Sequence, residues 1–498
     1  MARLFPNSFG NPASFIFLSA MKKQYSFLLI VLLGICIAAC KQWDDRITVA
    51  DNALARTLYS EINAQPELSK FSELLVKSGY DKLISASKNY TVWAPTNKAL
   101  ETVDLASLSD TTALKSFVGN HIALQTYPLP GATQEVRVQM LNGKYVTFTN
   151  GRMGESTVVN ANRYVANGVL HTLDKASAVL PNLMSFVNSS KETYVQNKVL
   201  GALSYLVLNP EKAIVDSISA TTGRPVYRPG TGIEQKNKFT DLVYNLADES
   251  KQFTYILLTN DAFATEVTKL SPYFKTSTAD STYNLASYQV LKDLAVEGLY
   301  TVDKLPAVLK SKFGVDVPLD KTALVRTVNL SNGIAYVFSK ADVKPAVKLQ
   351  PIVVQGENYV SQLQNVGSTV IAIREKLSPV TGQTFRDLSV IAHGVSGFWV
   401  RYRVPEVPAM KYKVYWVALN DQTRNYRTNT LPIVVSQRLA MGSLTSTTFA
   451  NIAVPNDNYS EVLLGEYTTT SFGALDMYLI ASGTNSMALD YIKLVPVL

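Results

Sequence analysis

Apolar residues in the first two thirds of the chain form a helix pattern followed by a strand pattern, and this succession occurs twice. In the helix pattern, apolar residues lie three and four positions apart, and its first occurrence ends at Gly79, a common helix terminator. The strand pattern is a short, mostly apolar run, at residues 90–93 and again at residues 253–257, and it predicts a buried strand. The helix-pattern residues are Leu68, Phe71, Leu74 and Leu75 in the first occurrence and Phe239, Leu242, Val243 and Leu246 in the second.

Two sequence blocks are repeated at nearly the same spacing. The block TVWAPTNKAL begins at Thr91, and its counterpart TYILLTNDAF begins at Thr254, 163 residues later. The block NGVLHTLDKA begins at Asn167, and its counterpart NGIAYVFSKA begins at Asn332, 165 residues later. Two matches at almost one offset predict two copies of a single domain, and a period this long indicates tandem domains rather than solenoid repeats.

Each copy has the elements of an α+β domain. After the buried strand, the Thr-Asn pair predicts the start of a helix, with Asn97 or Asn260 as its cap. The closing block predicts a turn at Asn-Gly followed by an alternating strand, and the first copy has further short strand patterns at residues 145–148 and 157–159. We therefore predict α+β domains at residues 51–182 and 183–349.

These blocks resemble the fasciclin (FAS1) domain. The block at Thr91 is similar to the first signature of the family, and the block at Asn167, continuing to Pro181, is similar to the second. Residues 117–122 are similar to its central aromatic-His segment, although Asn120 replaces the aromatic residue. The positions that match the motifs are Thr91, Pro95, Thr96, Asn97, His121, Asn167, Gly168 and His171.

The second copy diverges from the family pattern. It has Leu258 in place of the proline, Tyr336 in place of His171, and Leu294 opposite His121. It also carries an insertion near residues 217–236, rich in Gly, Pro and Thr, which predicts a surface loop. The resemblance implies a wedge-like β sheet packed with helices, in extracellular modules that bind cells, matrix or polysaccharide without a shared catalytic centre. We interpret His121 and His171 as neutral histidines that local hydrogen bonds satisfy near the core.

The last third of the chain, residues 350–498, has strand patterns nearly throughout. Residues 398–404 alternate, so that Trp399, Arg401 and Arg403 share one face of a strand. Further strands are predicted at residues 412–419, 431–437, 461–467, 475–481 and 488–495. This succession predicts an all-β sandwich and resembles the galactose-binding-like jelly rolls of non-catalytic carbohydrate-binding modules.

The jelly-roll resemblance suggests two kinds of site. Glycan binding would use aromatic rings that stack on sugar faces and polar side chains that bind hydroxyls. The candidates are Trp399, Arg401, Arg403, Trp416, Asn420, Asp421 and Tyr426, with a core position as the alternative for each tryptophan. The resemblance also suggests a structural calcium ion held by Glu357 and Asp490, and ordinary solvated carboxylates are the alternative.

The N-terminus has the design of an export signal. Lys22 and Lys23 precede an apolar run, over residues 27–40, that is too short for a comfortable membrane span. Its end, IAAC, resembles the bacterial lipobox, which implies a leader and signal peptide at residues 1–39, a true start at Met21, lipidation of Cys40 and a linker at residues 40–50. A plain signal peptide or a hydrophobic anchor with an incidental cysteine are the alternatives.

The resemblance also bears on location. Asp44 and Asp45 resemble the surface-export signals of Bacteroidetes lipoproteins, although a solvated linker would look the same. We therefore expect an outer-membrane lipoprotein that is exposed on the cell surface, with a periplasm-facing anchor as the alternative.

Composition narrows the function classes. With 47% apolar and 17% charged residues, the chain is neither a disordered protein nor a coiled coil. Three basic residues and no acidic residue precede Cys40, so the formal charge of +8 falls to +5 beyond it, without the basic block expected of a nucleic-acid binder. Three His and two Cys leave little material for zinc, haem or disulfide chemistry.

The sequence contains no G-x-S-x-G elbow, H-E-x-x-H motif, P-loop or G-x-G-x-x-G motif. We therefore predict a non-catalytic surface lipoprotein for adhesion or glycan binding, whose partner is a polysaccharide or an extracellular protein. A structural subunit of an outer-membrane polysaccharide-uptake assembly, in contact with a transporter, is the alternative. A glycoside hydrolase is a remote alternative, because two distant acids can meet in space. A broad apolar patch on a fasciclin-like domain would favour a protein partner.

Overall fold

A computed structural model describes residues 52–364, 369–421 and 434–498. The chain forms two compact units, and the break between them falls between Val179 and Leu180, close to the predicted domain boundary. The first unit holds one α+β domain, and the second holds another α+β domain followed by an all-β sandwich. The fold class is therefore the one that the sequence predicts.

A seven-stranded sheet forms the centre of the first domain. Its strands are β1 (Tyr90–Pro95), β2 (Ile122–Ala123), β3 (Glu135–Gln139), β4 (Tyr145–Thr149), β5 (Arg152–Met153), β6 (Ser156–Val165) and β7 (Gly168–Leu173). Their order in the sheet is β2-β1-β7-β6-β5-β4-β3. β1 and β7 run parallel and are almost entirely buried, as expected of parallel strands covered on both faces, so the predicted alternation of β7 is wrong.

The helices of the first domain are α1 (Leu58–Asn63), α2 (Ser69–Ser78), α3 (Tyr80–Leu83) and α4 (Thr111–Gly119). The predicted amphipathic helix is α2, which buries Phe71, Leu74 and Leu75. It ends where predicted, because Gly79 adopts a left-handed conformation (φ 77°) and donates its N–H to the carbonyls of Leu75 and Val76.

The second domain begins with α5 (Leu183–Ser190) and α6 (Val195–Ala202) and then departs from the first. The predicted surface loop is instead a two-stranded antiparallel ribbon over residues 204–237, which we call the arm. Its strands are β8 (Ser204–Leu208), β9 (Val215–Ile218), β10 (Pro225–Tyr227) and β11 (Ile233–Asn237). β8 pairs with β11, and β9 pairs with β10.

The rest of the second domain repeats the plan of the first. Its helices are α7 (Lys238–Leu242), α8 (Asn260–Leu270) and α9 (Ala279–Leu291), and its strands are β12 (Phe253–Leu258), β13 (Ala295–Glu297), β14 (Val308–Lys310), β15 (Asp316–Pro318), β16 (Leu324–Leu330) and β17 (Gly333–Phe338). The central sheet has the order β13-β12-β17-β16, and β12 runs parallel to β17 as β1 does to β7.

The prediction of a second amphipathic helix, over residues 239–246, is mostly wrong. Only α7 is helical there, and Leu242, assigned to the apolar face, is 50% exposed. Phe239, Val243 and Leu246 are buried as expected. The arm precedes α7, and α7 itself has five residues, which make only about one and a half helical turns.

The short helix α10 (Pro345–Lys348) ends the second domain, and a sandwich of three sheets follows. Its strands are β18 (Ile352–Gln355), β19 (Ser361–Gln362), β20 (Val370–Leu377), β21 (Thr384–Ile391), β22 (Trp399–Val407), β23 (Lys411–Val417), β24 (Ser436–Met441), β25 (Thr447–Thr448), β26 (Ile452–Ala453), β27 (Val462–Thr468), β28 (Gly473–Ala481), β29 (Met487–Leu489) and β30 (Tyr491–Val497). The sheet orders are β18-β30-β23-β27, β20-β21-β29 and β19-β22-β28-β24-β25, with β26 beside β24.

The sandwich strands differ from the prediction, which did not include β18 to β21, β25 or β26. Residues 488–495, predicted as one strand, belong to β29 and β30 in different sheets, and Asp490 lies at the break between them. Residues 431–433 of another predicted strand lie outside the described residues, and β24 begins at Ser436. Within the described ranges, no helix combines the length and the apolar character needed to cross a bilayer.

The sandwich contacts the second domain within their common unit. The Ala409 N–H donates to the carbonyl of Tyr273 at 2.7 Å, and the Phe472 N–H donates to the carbonyl of Lys275 at 2.7 Å. The rings of Phe472 and Phe274 pack with their centroids 5.3 Å apart. Two backbone hydrogen bonds and an aromatic contact thus join the two folds.

Candidate functional site

The repeated asparagine of the closing block is a structural residue in both domains. In the first, Asn167 accepts the Leu58 N–H at 2.8 Å and donates to the carbonyls of Ile84 and Ala86 at 2.8 and 2.9 Å. In the second, Asn332 makes the corresponding three bonds, at 2.8, 3.0 and 3.0 Å, to Leu183, Leu246 and Asp248. A single amide thus satisfies three backbone groups that would otherwise be unpaired in the interior.

The Asn of the Thr-Asn pair caps a helix other than the one predicted. Asn97 accepts the Lys70 N–H at 2.9 Å, at the start of α2, and donates to the carbonyl of Pro66 at 2.9 Å. Asn260 accepts the Val195 N–H at 2.8 Å, at the start of α6, and donates to the carbonyl of Thr193 at 3.1 Å. The cap therefore connects elements that are distant in sequence, and it identifies α6 as the counterpart of α2.

The threonines that open the first block also have matching roles. Thr91 donates to the carbonyl of Gln125 at 2.7 Å and accepts the Tyr127 N–H at 2.8 Å. Thr254 bonds in the same way to the Gly298 carbonyl and the Tyr300 N–H, at 2.9 and 3.0 Å. Thr96 follows Pro95 at the end of β1, where its N–H donates to the carbonyl of Leu173 and its hydroxyl accepts the Ala99 N–H.

His121 is fully buried and hydrogen-bonded at both ring nitrogens. Nδ1 lies 2.9 Å from the carbonyl of Phe117, so it carries the proton, and Nε2 accepts the Ser177 N–H at 2.9 Å. Burial lowers the pKa of His121 to about 4, although the bond to Phe117 acts in the opposite direction. A neutral ring satisfies both partners, whereas a second ring proton would face the N–H of Ser177.

His171 is a second buried, neutral histidine. Its Nε2 lies 2.9 Å from the carbonyl of Tyr127, its ring stacks on Trp93 at 5.6 Å, and burial lowers its pKa. In the second domain the hydroxyl of Tyr336 donates to the carbonyl of Tyr300 at 2.8 Å, which replaces this bond. The fasciclin-motif side chains with described contacts thus hold the domain interior together, and a binding surface must be sought elsewhere.

The sandwich presents an aromatic and charged face on the sheet that contains β22. Burial alternates along β22 as predicted, with Val400 and Tyr402 in the core and Trp399, Arg401 and Arg403 on the other side. Arg401 lies opposite Tyr478 and Arg403 opposite Asp476 on the neighbouring strand β28. We call the surface formed by Trp399, Arg401, Arg403, Asp476 and Tyr478 the Trp399 face.

The side chains of the Trp399 face hold one another in position. The Trp399 and Tyr478 rings meet edge to face, with centroids 5.6 Å apart and planes at 78°. Arg401 donates through Nε to Asp476 at 3.0 Å, and Arg403 lies 3.6 Å from the other oxygen of this carboxylate. The arrangement places a partly exposed aromatic ring beside two fixed guanidinium groups, which suits the stacking and hydrogen bonding of a sugar.

Sequence reasoning missed Tyr478 and Asp476. The alternation of apolar and polar residues at Leu475, Asp476, Met477 and Tyr478 was a usable signal, because it predicts that Asp476 and Tyr478 share the outer face of β28. The pairing of β28 with β22 is a tertiary feature, and only this pairing brings the two residues to Trp399.

Trp416, Asn420 and Asp421 do not belong to the Trp399 face. Trp416 lies in another sheet and is only 1% exposed, so the core alternative describes it and it cannot stack on a sugar from solvent. Asn420 is buried, and Asp421 is bound to Arg374 and Lys376 at 2.8 and 2.6 Å. Burial alone would raise the pKa of Asp421, but these cations hold it below its ordinary value. Tyr426 and Cys40 lie outside the described residues.

Glu357 and Asp490 are neighbours at the edge of the sandwich. The close approach of their two chain segments requires a glycine at position 356, because a Cβ there would lie 2.0 Å from the carbonyl oxygen of Leu489. Burial and the charges of Asp387 and Glu357 raise the pKa of Asp490 to about 6. The Oε2 atom of Glu357 is buried and has no hydrogen-bond partner among the described residues. Within the described ranges no three His, Cys, Asp or Glu side chains are grouped to hold a metal, so backbone or water oxygens would have to complete a calcium site.

Comparison with known protein families identifies part of the first domain. Residues 66–177 match the Fasciclin domain, so the chain contains a fasciclin domain in its first unit. No curated protein matches the chain.

Several solved structures are similar to parts of the chain. A FAS1 domain pair from the insect cell adhesion molecule Fasciclin I is 16% identical with a TM-score of 0.23, over 56% of this chain and 98% of that one. A family 35 carbohydrate-binding module from Clostridium thermocellum is 12% identical with a TM-score of 0.21, over 30% and 99%. A GH26-CBM35 β-(1,4)-mannanase from Podospora anserina is 11% identical with a TM-score of 0.22, over 30% of this chain and only 28% of that one. Because these TM-scores are low, the fold assignment depends on the Fasciclin match and on the sheets themselves.

Proposed function

We propose that the chain is a non-catalytic, lipid-anchored protein of the outer membrane, exposed on the cell surface, that binds glycan through the Trp399 face. The observation that carries this proposal is the grouping of Trp399, Tyr478 and two arginines on one partly exposed sheet face. The fasciclin domain supports a role in adhesion or glycan binding in general terms. The described side chains of the fasciclin motif form hydrogen bonds within that domain, so we assign glycan binding to the sandwich.

The chemistry of the Trp399 face favours binding over hydrolysis. A glycosidase needs two carboxyl groups with separate roles, one of which donates a proton to the leaving group. Asp476 already accepts hydrogen bonds from Arg401 and pairs with Arg403. These interactions fix the orientation of the arginines and leave the carboxylate poorly placed to donate a proton to substrate.

Affinity gel electrophoresis of the full chain tests the glycan proposal. Polysaccharides in the native gel should retard the parent protein, and Trp399→Ala should weaken the binding about tenfold, the expected loss when an aromatic anchor that the ligand covers is removed. Tyr283→Ala is a matched control, because Tyr283 is 40% exposed and lies in the second domain. If neither neutral nor acidic polysaccharides retard the parent, or if both variants are retarded like it, the Trp399 face is not a glycan site.

We also propose that Glu357 and Asp490 hold a structural calcium ion. The unpartnered buried oxygen of Glu357 supports this, since a cation would satisfy it and neutralise the crowded carboxylates. Thermal unfolding should then shift to higher temperature when calcium replaces a chelator, because a ligand that binds only the folded state stabilises it. Asp490→Asn should lose this response, and Asp303→Asn, at an exposed position, should keep it. An unchanged response in Asp490→Asn would contradict the assignment.

A structural subunit of a polysaccharide-uptake assembly is the second candidate function. It requires a surface for a protein partner. The exposed apolar side chains of the arm, Leu206, Leu208 and Ile233, favour this function.

A further inference from the structure

The arm exposes an apolar strip. Leu206, Leu208 and Ile233 are 71%, 39% and 48% exposed, and such neighbouring apolar side chains mark an interaction surface more clearly than single exposed ones do. A two-stranded ribbon is only marginally stable in water without a covering layer. The first domain has no such ribbon between α2 and α3, so the strip is a feature of the second domain alone.

The strip continues into a groove at the base of the arm. Leu208 lies directly opposite Ile233, and Leu206 lies opposite Gln235 in the β8–β11 pair. Paired residues and alternate residues of a strand share one face, so this face also carries Ser204 and Asn237. Ser204, Gln235 and Asn237 line a groove of about 760 Å³ between the arm and helices α5, α6 and α7.

The groove has an excess of unpaired positive charge. Lys191, Lys198 and Lys236 line it, are exposed, and form no ion pair with any residue in the described ranges. Two carboxylates, of Glu192 and Asp241, also line it, and that of Asp241 accepts a hydrogen bond from Tyr205 at 2.7 Å. A ligand that reaches the groove from the strip therefore meets three cations at its end, which favour acidic groups.

The edges of the arm are open. β8 pairs with β11, and β9 with β10, in sheets of two strands each, so every arm strand has one outer edge without a ladder in the described structure. The outward backbone N–H and C=O groups of such an edge can pair with an added strand, and polypeptide is the ligand that supplies the matching groups. Aliphatic side chains beside an open edge suit an extended peptide better than a sugar, which stacks on aromatic rings.

We propose that the arm is the docking site for an extended, acidic segment of a protein partner. The segment adds a strand to the arm, places alternate apolar side chains on Leu206, Leu208 and Ile233, and directs acidic residues to the three groove lysines. A second copy of this chain would bring the same lysines to the interface, where like charges repel, so the charge favours a different protein. This site is separate from the Trp399 face and goes beyond glycan binding.

Selection from a displayed library of short random peptides, with the full chain as bait, tests the docking site. Recovered peptides should combine alternating apolar residues with acidic residues at one end, and the best of them should bind in fluorescence anisotropy. Leu206→Asp should weaken that binding at least about tenfold, because it puts a charge in the strip and repels the acidic segment. Leu377→Asp is the matched control, since Leu377 is a strand leucine that is 67% exposed, and it should bind like the parent. Proline in the middle of the peptide should abolish binding, because it removes a backbone N–H.

Other results would overturn the proposal. These are a selection without this pattern, equal binding by Leu206→Asp and the parent, or unchanged binding of the proline peptide. Displacement of the peptide by polygalacturonate would assign the groove to an acidic glycan instead. A dimer in sedimentation velocity that Leu206→Asp dissociates would assign the arm to self-association. Trp399→Ala should leave peptide binding unchanged, so failure of the glycan proposal and failure of this one remain distinguishable.

Discussion

His121 and Leu294 occupy the same position in the two α+β domains. The carbonyl of His121 accepts the Trp93 N–H at 2.9 Å, and the carbonyl of Leu294 accepts the Ile256 N–H at 2.7 Å. Both side chains are buried, but only the histidine joins the Phe117 carbonyl to the Ser177 N–H. At the scale of single residues, the position therefore requires a side chain that fills the core. The two hydrogen bonds of the His121 ring occur in the first domain only.

The burial of His121 predicts that the first domain loses stability in acid. Its pKa is about 4 in the folded state and about 6.5 in the unfolded state, so the unfolded chain takes up the proton first as the pH falls. The contribution is fully present above about pH 6.5 and is lost as the pH falls towards 4, where the domain should be about 3 kcal/mol less stable. Urea denaturation of residues 51–182, followed by the fluorescence of Trp93, the sole tryptophan in that range, measures this loss.

His121→Leu is the matched variant, because the second domain has leucine at this position. It should be less stable at pH 7, since two buried backbone groups lose their partner, and it should lose less stability between pH 6.5 and 4. The lowered pKa of His171 acts in the same direction and should leave a residual slope. An identical pH dependence in the variant and the parent would exclude His121 as the source.

At the scale of elements, the parallel pair β1–β7 depends on one glycine. Tyr90 lies opposite Gly168 in the register, and a Cβ at Gly168 would lie 1.9 Å from the carbonyl oxygen of Tyr90. The second domain repeats this contact, with Gly333 opposite Phe253 and a corresponding distance of 2.1 Å. Both domains therefore have an Asn-Gly turn, because the two parallel strands can approach each other only if this residue has no side chain.

Gly168→Ala should strongly destabilise the first domain. Gly168 has a φ of 150°, and the added methyl must displace either β1 or β7, so the free energy of unfolding should fall by about 3 kcal/mol or more. Gly131→Ala is the control, because Gly131 has open space at its Cβ position and should change stability little. Urea denaturation with Trp93 fluorescence compares the two, and equal midpoints would show that the strands can separate without loss.

At the scale of the whole molecule, the proposed surface functions require attachment of the chain to the membrane. We propose that lipidated Cys40 provides that attachment, since acyl chains on this residue would contribute about 0.8 kcal/mol for each buried methylene. Cys40→Ala should abolish the incorporation of labelled palmitate and move the protein from the membrane fraction to the soluble fraction. Cys36→Ala should leave both unchanged, because Cys36 precedes the proposed cleavage site. Labelling that persists in Cys40→Ala would contradict the lipid anchor.

The duplication, the α+β plan and the face of β22 that carries Trp399 could be predicted from the sequence alone. These features follow from local patterns. A repeated block can be recognised in the sequence itself, and the alternation of residues along a strand determines which of them share a face. The Gly79 helix end was predictable for the same reason, because a left-handed glycine is a local requirement.

The contacts between distant elements, in contrast, are visible only in the folded chain. Asn97 and Asn260 cap helices far away in sequence, Tyr478 reaches Trp399 through strand pairing, and residues 488–495 divide between two sheets at Asp490. The Gly- and Pro-rich insertion near residues 217–236 belongs to an apolar arm because β10 and β11 pair with the preceding strands β9 and β8, and composition alone indicates a loop. Such contacts depend on residues that are distant along the chain, and a local pattern does not specify its partner.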